Sequence, residues 1–204
     1  LYVTENVYPR LDELNIEPAR KIIHCVFTEH ITKAPGMERI RELVSGAILP
    51  TPGAVLLAAR LLYDALGDLV VLDVGGATTD VHSVSPGAEE IAALLTSPEP
   101  FAKRTVEGDL GLYINAAHLV DRVGAETLSR ELGIDVSAVM ARYRPIPDTP
   151  EQFLLTERLC REAGETALTR HAGRIRYLYT PSGRRTVAEG KDLTLVNTVI
   201  GTGG

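Results

Sequence analysis

The sequence predicts an α/β fold with a central sheet between helices, because helical and extended patterns alternate along the chain. Apolar residues 69–72 indicate a strand covered on both faces. Residues 54–66, directly before it, have the largely apolar pattern of a buried helix. A length of 204 residues with 45% hydrophobic and 24% charged residues suits a globular domain with a substantial core.

Two helices are predicted before this strand. The first covers residues 18–31, where apolar side chains recur four positions apart at Ile23, Phe27 and Ile31. The second begins at Thr51, a suitable N-cap, with Pro52 at the first helical position. Gly67 suits the reversal after it and places a strand at residues 69–74.

Helical and extended patterns also alternate in the second half of the chain. A connection is predicted at residues 86–100 and a helix at residues 112–123. Thr149-Pro150-Glu151-Gln152 is a capping box that opens a helix reaching about His171. Residues 193–200 are β-rich and end in glycines. The long helix has an apolar stripe expected to face the core: Leu155, Leu159, Ala163 and Ala167.

Residues 73–80, Asp-Val-Gly-Gly-Ala-Thr-Thr-Asp, carry the clearest chemistry. We expect Gly75 and Gly76 to adopt the positive φ of a tight reversal and to let backbone amides approach an anion. The alternative is an ordinary hairpin turn with polar decoration.

The residues around the glycines point to phosphate and metal. Thr78 and Thr79 contribute hydroxyl groups. Asp73 and Asp80 are suited to hold the water shell of a hard cation such as Mg²⁺. His82 follows on the same predicted strand face as Asp80 and is expected to be structural.

The string at residues 73–80 resembles the second phosphate loop of the actin-like ATPase superfamily, whose fold is ribonuclease H-like. Together with residues 103–111, Lys-Arg-Thr-Val-Glu-Gly-Asp-Leu-Gly, it resembles the accessory protein of adenosylcobalamin-dependent glutamate mutase. That family is often labelled MutL or GlmL and is unrelated to the mismatch-repair protein of the first label. Further segments that resemble it lie at residues 5–9, 14–20, 50–55 and 190–204.

The resemblance implies a mixed central sheet flanked by helices, ATP and Mg²⁺ as cofactors, and mutase subunits as partners. It implies catalytic roles for Asp73 and Asp80, with Asp73 reaching Mg²⁺ through water. The nucleotide contacts that it implies in the loop are Gly75, Gly76, Ala77, Thr78 and Thr79.

Two further segments are candidate nucleotide contacts. Glu107 and Asp109 would repel a bare phosphate, so a metal or a ribose hydroxyl is one interpretation and a solvated structural turn is the other. Gly201, Thr202 and Gly203 resemble the adenosine loop of the superfamily, whereas a flexible glycine tail is the alternative.

The superfamily clamps its nucleotide between two lobes, and no first phosphate loop precedes Leu1. We therefore expect mainly the second lobe at residues 67–204, after a helical segment at residues 1–66 that bridges from the first lobe. The second lobe would contain the phosphate loop, a helical subdomain at about residues 103–173 and an adenosine loop at residues 200–204. Alone, this chain is expected to bind nucleotide weakly and to hydrolyse almost none.

Composition excludes several classes of function. A net charge of −6 argues against a nucleic-acid partner, and the arginines between residues 170 and 185 are expected to form a solvated helix end and loop. No apolar run is long enough to span a bilayer. Cys25 and Cys160, both expected to be buried, give no disulfide framework, which favours the cytoplasm. The histidines lack metal-ligand spacing.

Three hypotheses follow. The first is an ATP-driven reactivating chaperone that opens a cobalamin mutase for cofactor exchange. The second is a small-molecule kinase of the same fold, with Asp80 or Glu107 as the base. The third is a nucleotide-binding interaction module without catalysis.

Overall fold

The computed structural model describes residues 1–11, 13–33, 35–46, 48–181 and 183–203. Its internal contacts divide the chain into two units, Leu1–Ala54 and Val55–Gly204. The described helices include none that is long and apolar enough to cross a bilayer. The functional domains predicted from the resemblance stay a prediction.

The first unit contains helices α1 (Glu17–Thr32) and α2 (Met37–Leu43). On α1, Ile22 and Val26 are half-buried, whereas Ile23 and Phe27 are exposed. The helix predicted at residues 18–31 is confirmed. Its half-buried side chains lie one position before Ile23 and Phe27, because apolar residues occur in adjacent pairs and either spacing of four fits; the side chain of Ile31 lies outside the described part of the chain. Cys25 is exposed as well, so the predicted burial of its thiol was wrong.

Helix α3 (Thr51–Leu66) crosses the boundary between the units and is followed by strand β1 (Leu69–Val74). Gly67 makes the reversal between them with φ of 73°, as predicted. Strand β2 (Thr79–Val84) pairs antiparallel with β1, and β3 (Ala102–Glu107) pairs antiparallel with β2. Strand β6 (Thr198–Gly203) lies parallel to β1 and gives the order β3-β2-β1-β6. The predicted α/β class with a mixed central sheet is confirmed.

Each face of this sheet supports a separate apolar cluster. On one face, Val70 and Val81 pack with α8 (Pro150–His171), whose predicted stripe is fully buried: Leu155, Leu159, Ala163 and Ala167. On the other face, Leu69 and Val71 pack with Ala59 of α3. The continuous apolar sequence of β1 follows from this two-sided burial.

Helices α4 (Glu89–Ala92), α5 (Ala116–Val123), α6 (Ala125–Leu132) and α7 (Val136–Met140) complete the second unit with α8. The Thr149 hydroxyl caps α8 by accepting a hydrogen bond from the Gln152 amide at 3.3 Å. Helix α5 begins four residues later than predicted, because residues 112–115 bond to the loop between β1 and β2.

A two-stranded antiparallel sheet lies outside the main sheet. It consists of β4 (Arg174–Thr180) and β5 (Gly183–Glu189). The predicted helix end is confirmed for Arg170, in the last turn of α8, whereas the predicted loop was wrong because the other four arginines lie in strands. Arg174 and Arg176 both belong to β4, where each pairs across the strands with a residue of β5.

Lys191 is buried and joins three distant parts of the second unit. Its Nζ donates hydrogen bonds to the carbonyl oxygens of Ser85 (2.7 Å), Pro100 (2.6 Å) and Phe101 (3.2 Å). Burial lowers the pKa of Lys191. Three carbonyl dipoles thus replace the water that an ammonium group loses on burial.

His171, near the end of α8, connects that helix to two strands. Its Nδ1 lies 2.8 Å from Thr105 Oγ1 of β3 and its Nε2 lies 2.8 Å from Ser83 Oγ of β2. Burial first, and the charges of Lys103 and Lys191 next, lower the pKa of His171 from an ordinary 6.5 to about 4.

We predict that His171 makes the protein less stable in acid. The unfolded chain binds the proton more tightly than the folded chain, so the free energy of unfolding decreases as the pH falls from 6.5 to about 4 and levels off below. The loss from this group is about 3 kcal/mol. Urea unfolding of His171→Gln at several pH values should show a weaker pH dependence than wild type. Exposed His118→Gln is the control, and an unchanged pH dependence in His171→Gln would contradict the assignment.

Candidate functional site

The candidate phosphate loop is the four-residue connection, residues 75–78, between β1 and β2. Val74 pairs with Thr79, and the Gly75 amide closes the loop by donating to the Thr78 carbonyl at 2.9 Å. Neither Gly75 nor Gly76 has a positive φ, so that prediction was wrong. A four-residue hairpin loop is commonly built on a turn with negative φ values, whereas a two-residue loop requires positive ones.

The carbonyl groups of this loop are held from one side. The Gly75 carbonyl accepts from the Leu112 amide at 3.0 Å, and the Gly76 carbonyl accepts from the amides of residues 113 and 114, both at 2.8 Å. The Ala77 carbonyl accepts from Asn115 Nδ2 at 2.9 Å. Three consecutive peptide carbonyls therefore point toward residues 112–115.

The amides of the same three peptide units point the other way, because C=O and N–H are opposed across a planar trans peptide. These amides belong to Gly76, Ala77 and Thr78, and none has a hydrogen-bond partner in the part of the chain that the structure describes. Gly76 and Ala77 are exposed and Thr78 is half-buried. Successive free amides that share a direction form a concavity suited to an anion.

Gly111 lets the following segment approach the loop closely. A Cβ at this position would lie 2.3 Å from both the carbonyl carbon and the oxygen of Ala77. Asn115 adds a second tie, since its Nδ2 also donates to the Gly108 carbonyl at 2.8 Å. The close packing at Gly111 and the two hydrogen bonds of Asn115 thus hold the loop on the side that faces residues 112–115.

Asp73 and Thr78 have side chains that remain available. Both are half-buried, and neither side chain makes a hydrogen bond or ion pair with any residue that the structure describes. Asp73 stands opposite Asp80 on β2 and opposite Thr202 on β6. A free carboxylate at the end of β1 is therefore next to the loop with free amides.

Asp80 and Thr79 are occupied within the protein. Arg104 donates to Asp80 Oδ1 through Nε at 3.2 Å and Nη2 at 3.1 Å, and Asp80 is only 5% exposed. The buried Thr79 hydroxyl donates to the Leu110 carbonyl at 2.7 Å. Both side chains hold β2 to its surroundings, and their proposed nucleotide roles stay predictions.

Glu107 and Asp109 are both bound by Arg170 of α8. Arg170 Nη1 lies 2.6 Å from Glu107 Oε2 and 2.7 Å from Asp109 Oδ1, and Nη2 lies 3.0 Å from Asp109 Oδ2. The hydrogen bonds from Arg170 lower the pKa of Asp109. This arrangement favours the structural-turn interpretation of the two carboxylates.

The third predicted contact segment forms the end of β6. Gly203 lies beside Val74 and has φ of 107°, and a Cβ there would lie 2.3 Å from the Val74 carbonyl oxygen. Gly201, Thr202 and Gly203 also border a largely apolar groove of about 660 Å³. Its other walls come from β1 and α8: Leu72, Val74, Glu157, Cys160, Arg161, Gly164, Glu165 and Leu168.

His82 is fully buried, and neither ring nitrogen has a partner among the described residues. Burial lowers the pKa of His82. The described residues also contain no group of three or more His, Cys, Asp or Glu side chains that could hold a metal ion directly.

Asp73 and the glycine end of β6 both adjoin the loop with the free amides of residues 76–78. Asp73 shares the α3 face of the sheet with Val71, whereas Leu72 and Val74 line the groove on the α8 face. Glu107 and Asp109 belong to a separate ion-pair cluster with Arg170. Sequence reasoning missed Asn115 as a contact of the loop. The signal was an asparagine before a helical pattern, which equally predicts an ordinary helix cap.

The family model described as MutL protein matches residues 1–204. The chain belongs to the MutL family. The predicted family is thereby confirmed. Protein MutL from Clostridium tetanomorphum is 44% identical over 218 residues, covering 99% of this chain and 47% of the relative. The chain thus spans about half the length of that curated MutL protein. No solved structure matches this chain.

We predict that Gly111→Ala disturbs the candidate phosphate loop of this MutL chain. The added Cβ must displace the Ala77 backbone, and overpacking of this kind costs about 1–3 kcal/mol of the free energy of unfolding. Gly108→Ala is the matched control, because nothing lies within 4 Å of a Cβ there and its φ is not positive. Urea unfolding measures both, and equal stability of the two variants would show that the close approach has no consequence.

Proposed function

We propose that residues 75–78 bind the phosphates of ATP and that this MutL chain is the nucleotide-binding part of an actin-like ATPase. The observation that carries the proposal is the set of three adjacent amides at Gly76, Ala77 and Thr78, all directed away from residues 112–115. Hydrogen bonds from amides to a charged phosphate contribute roughly 1.5–3 kcal/mol each. The Thr78 hydroxyl is a further donor at the same place.

Asp73 suits the Mg²⁺ that accompanies ATP. Magnesium in nucleotide sites keeps several waters and takes one or two carboxylates together with phosphate oxygens. Asp73 offers such a carboxylate without an arginine or lysine partner among the described residues. When bound, the ion would neutralise phosphate charge, and Asp73 would orient its water shell.

The nucleoside would lie beside β6 in this proposal. Gly203 ends next to Val74, at the same end of the sheet as the phosphate loop. The groove of about 660 Å³ has a volume typical of small-molecule sites and mostly apolar walls. The absence of side chains at Gly201 and Gly203 leaves the backbone open to close contact with a ribose or a base.

The wider role that we propose is reactivation of an adenosylcobalamin-dependent mutase of the glutamate mutase type. The MutL family assignment supports it, together with the phosphate loop geometry. Closure of the two lobes over the nucleotide would supply the two-state element that such work needs. The actin-like fold itself is part of the proposal, and the mixed sheet between helices is the architecture that it requires.

The small-molecule kinase is the weaker candidate. A kinase of this type needs a free carboxylate as base, and Asp80 and Glu107 are both ion-paired with arginine. A paired carboxylate is a weak base because the neighbouring cation favours its ionised form.

We predict that Asp73→Asn weakens binding of Mg²⁺-ATP by the full-length protein about tenfold, because one carboxylate is lost from the magnesium shell. Isothermal titration with and without Mg²⁺ should show that the loss requires the metal. Exposed Asp121→Asn removes the same charge from α5 and should change affinity less than about twofold. Equal affinities of wild type and Asp73→Asn would contradict the magnesium role.

We further predict that glutamate mutase with inactivated cofactor stimulates ATP hydrolysis by the full-length protein. The mutase should regain its own activity in the same reaction. Asn115→Leu should reduce both effects, because it frees the Ala77 carbonyl and loosens the amides. Sugar-dependent release of ADP would support the kinase instead. Nucleotide binding without either activity would support the interaction module.

A further inference from the structure

The two-stranded sheet of β4 and β5, which we name the arginine–tyrosine ribbon, is separate from the nucleotide site. Its strands pack mainly against each other. Every residue of β4 is exposed, and on β5 only Val187 and Ala188 are buried. A hairpin of this kind is only marginally stable by itself. Most of its surface thus has no packing partner within the described chain.

One face of the ribbon is aromatic. The register places Ile175, Tyr177 and Tyr179 on the same face as Arg184. The three apolar residues are 54%, 54% and 81% exposed, and the guanidinium carbon of Arg184 lies 4.6 Å from the centre of the Tyr177 ring. Tyrosine and arginine are the residues enriched at the energetic centres of protein interfaces.

The ribbon is also basic, although the chain as a whole has a net charge of −6. Arg174 and Arg176 both contact Glu189 at its base. Arg184, on the aromatic face near the tip, and Arg185, on the opposite face, have no carboxylate partner among the residues that the structure describes. Exposed positive charge beside an aromatic stripe is complementary to an acidic protein surface.

We propose that the arginine–tyrosine ribbon docks into an acidic groove on a partner protein. A contact with a second copy through the same face would place arginine against arginine, which is repulsive. The exposed aliphatic side chain of Ile175 on the aromatic face favours a protein surface over a nucleic acid, whose phosphates offer it no apolar pocket. The proposal does not depend on nucleotide binding, because no ribbon residue lies in the phosphate loop.

The test uses the full-length protein and a fluorescein-labelled, glutamate-rich peptide with interspersed leucines. Fluorescence anisotropy at about 50 mM and about 300 mM salt should show binding that weakens with salt. The double variant Arg184→Glu and Arg185→Glu should weaken it at least about tenfold through charge reversal. Tyr177→Ser with Tyr179→Ser should weaken it about threefold or more, with less salt dependence.

The matched control is the double variant Arg60→Glu and Arg130→Glu, two exposed arginines outside the ribbon. It makes the same change in net charge and should alter affinity less than about twofold. An equal loss in the control, or no peptide binding by wild type, overturns the proposal. Two further results would also overturn the proposal. If the ribbon binds single-stranded DNA more tightly than the peptide, the partner is a nucleic acid; if the ribbon forms dimers in sedimentation, the partner is a second copy of the chain. ATP affinity should be unchanged in every variant.

Discussion

The candidate site depends on one set of hydrogen bonds, those from residues 112–115 to the carbonyls of Gly75, Gly76 and Ala77. Because a peptide unit is planar, fixing three carbonyls on one side also fixes three amides on the other. The direction of the free amides in the loop thus depends on contacts that lie behind it. The hydrogen bond of Thr79 to Leu110 and the absence of a side chain at Gly111 keep the supporting segment in place.

The same segment connects the loop to the helical layer. Residues 112–115 lead into α5, which packs with α8. Arg170 of α8 in turn holds Glu107 and Asp109, the residues on either side of Gly108. A change in the position of α8 would therefore reach the candidate phosphate loop through few intermediates. The contact between α8 and the loop thus has a short physical route.

The sequence predicted those features that local patterns determine. The apolar run of β1, the Gly67 reversal and the proline-opened start of α8 depend on neighbouring residues and were all found. The positive φ at Gly75 was wrong, because the loop length depends on strand register, which pairs residues distant in sequence. The role of Asn115 depends on contact with a loop 38 residues earlier and has no local signature.

Lys191 has a consequence for how the second unit assembles. Its ammonium group meets carbonyls up to 106 positions earlier in the chain. Burial of such a group is favourable only when all of its hydrogen-bond acceptors are in place, because each missing acceptor leaves part of the charge without solvation. The start of β3 and the segment leading to β6 are therefore expected to become ordered together, at the entropic cost of closing a long intervening chain.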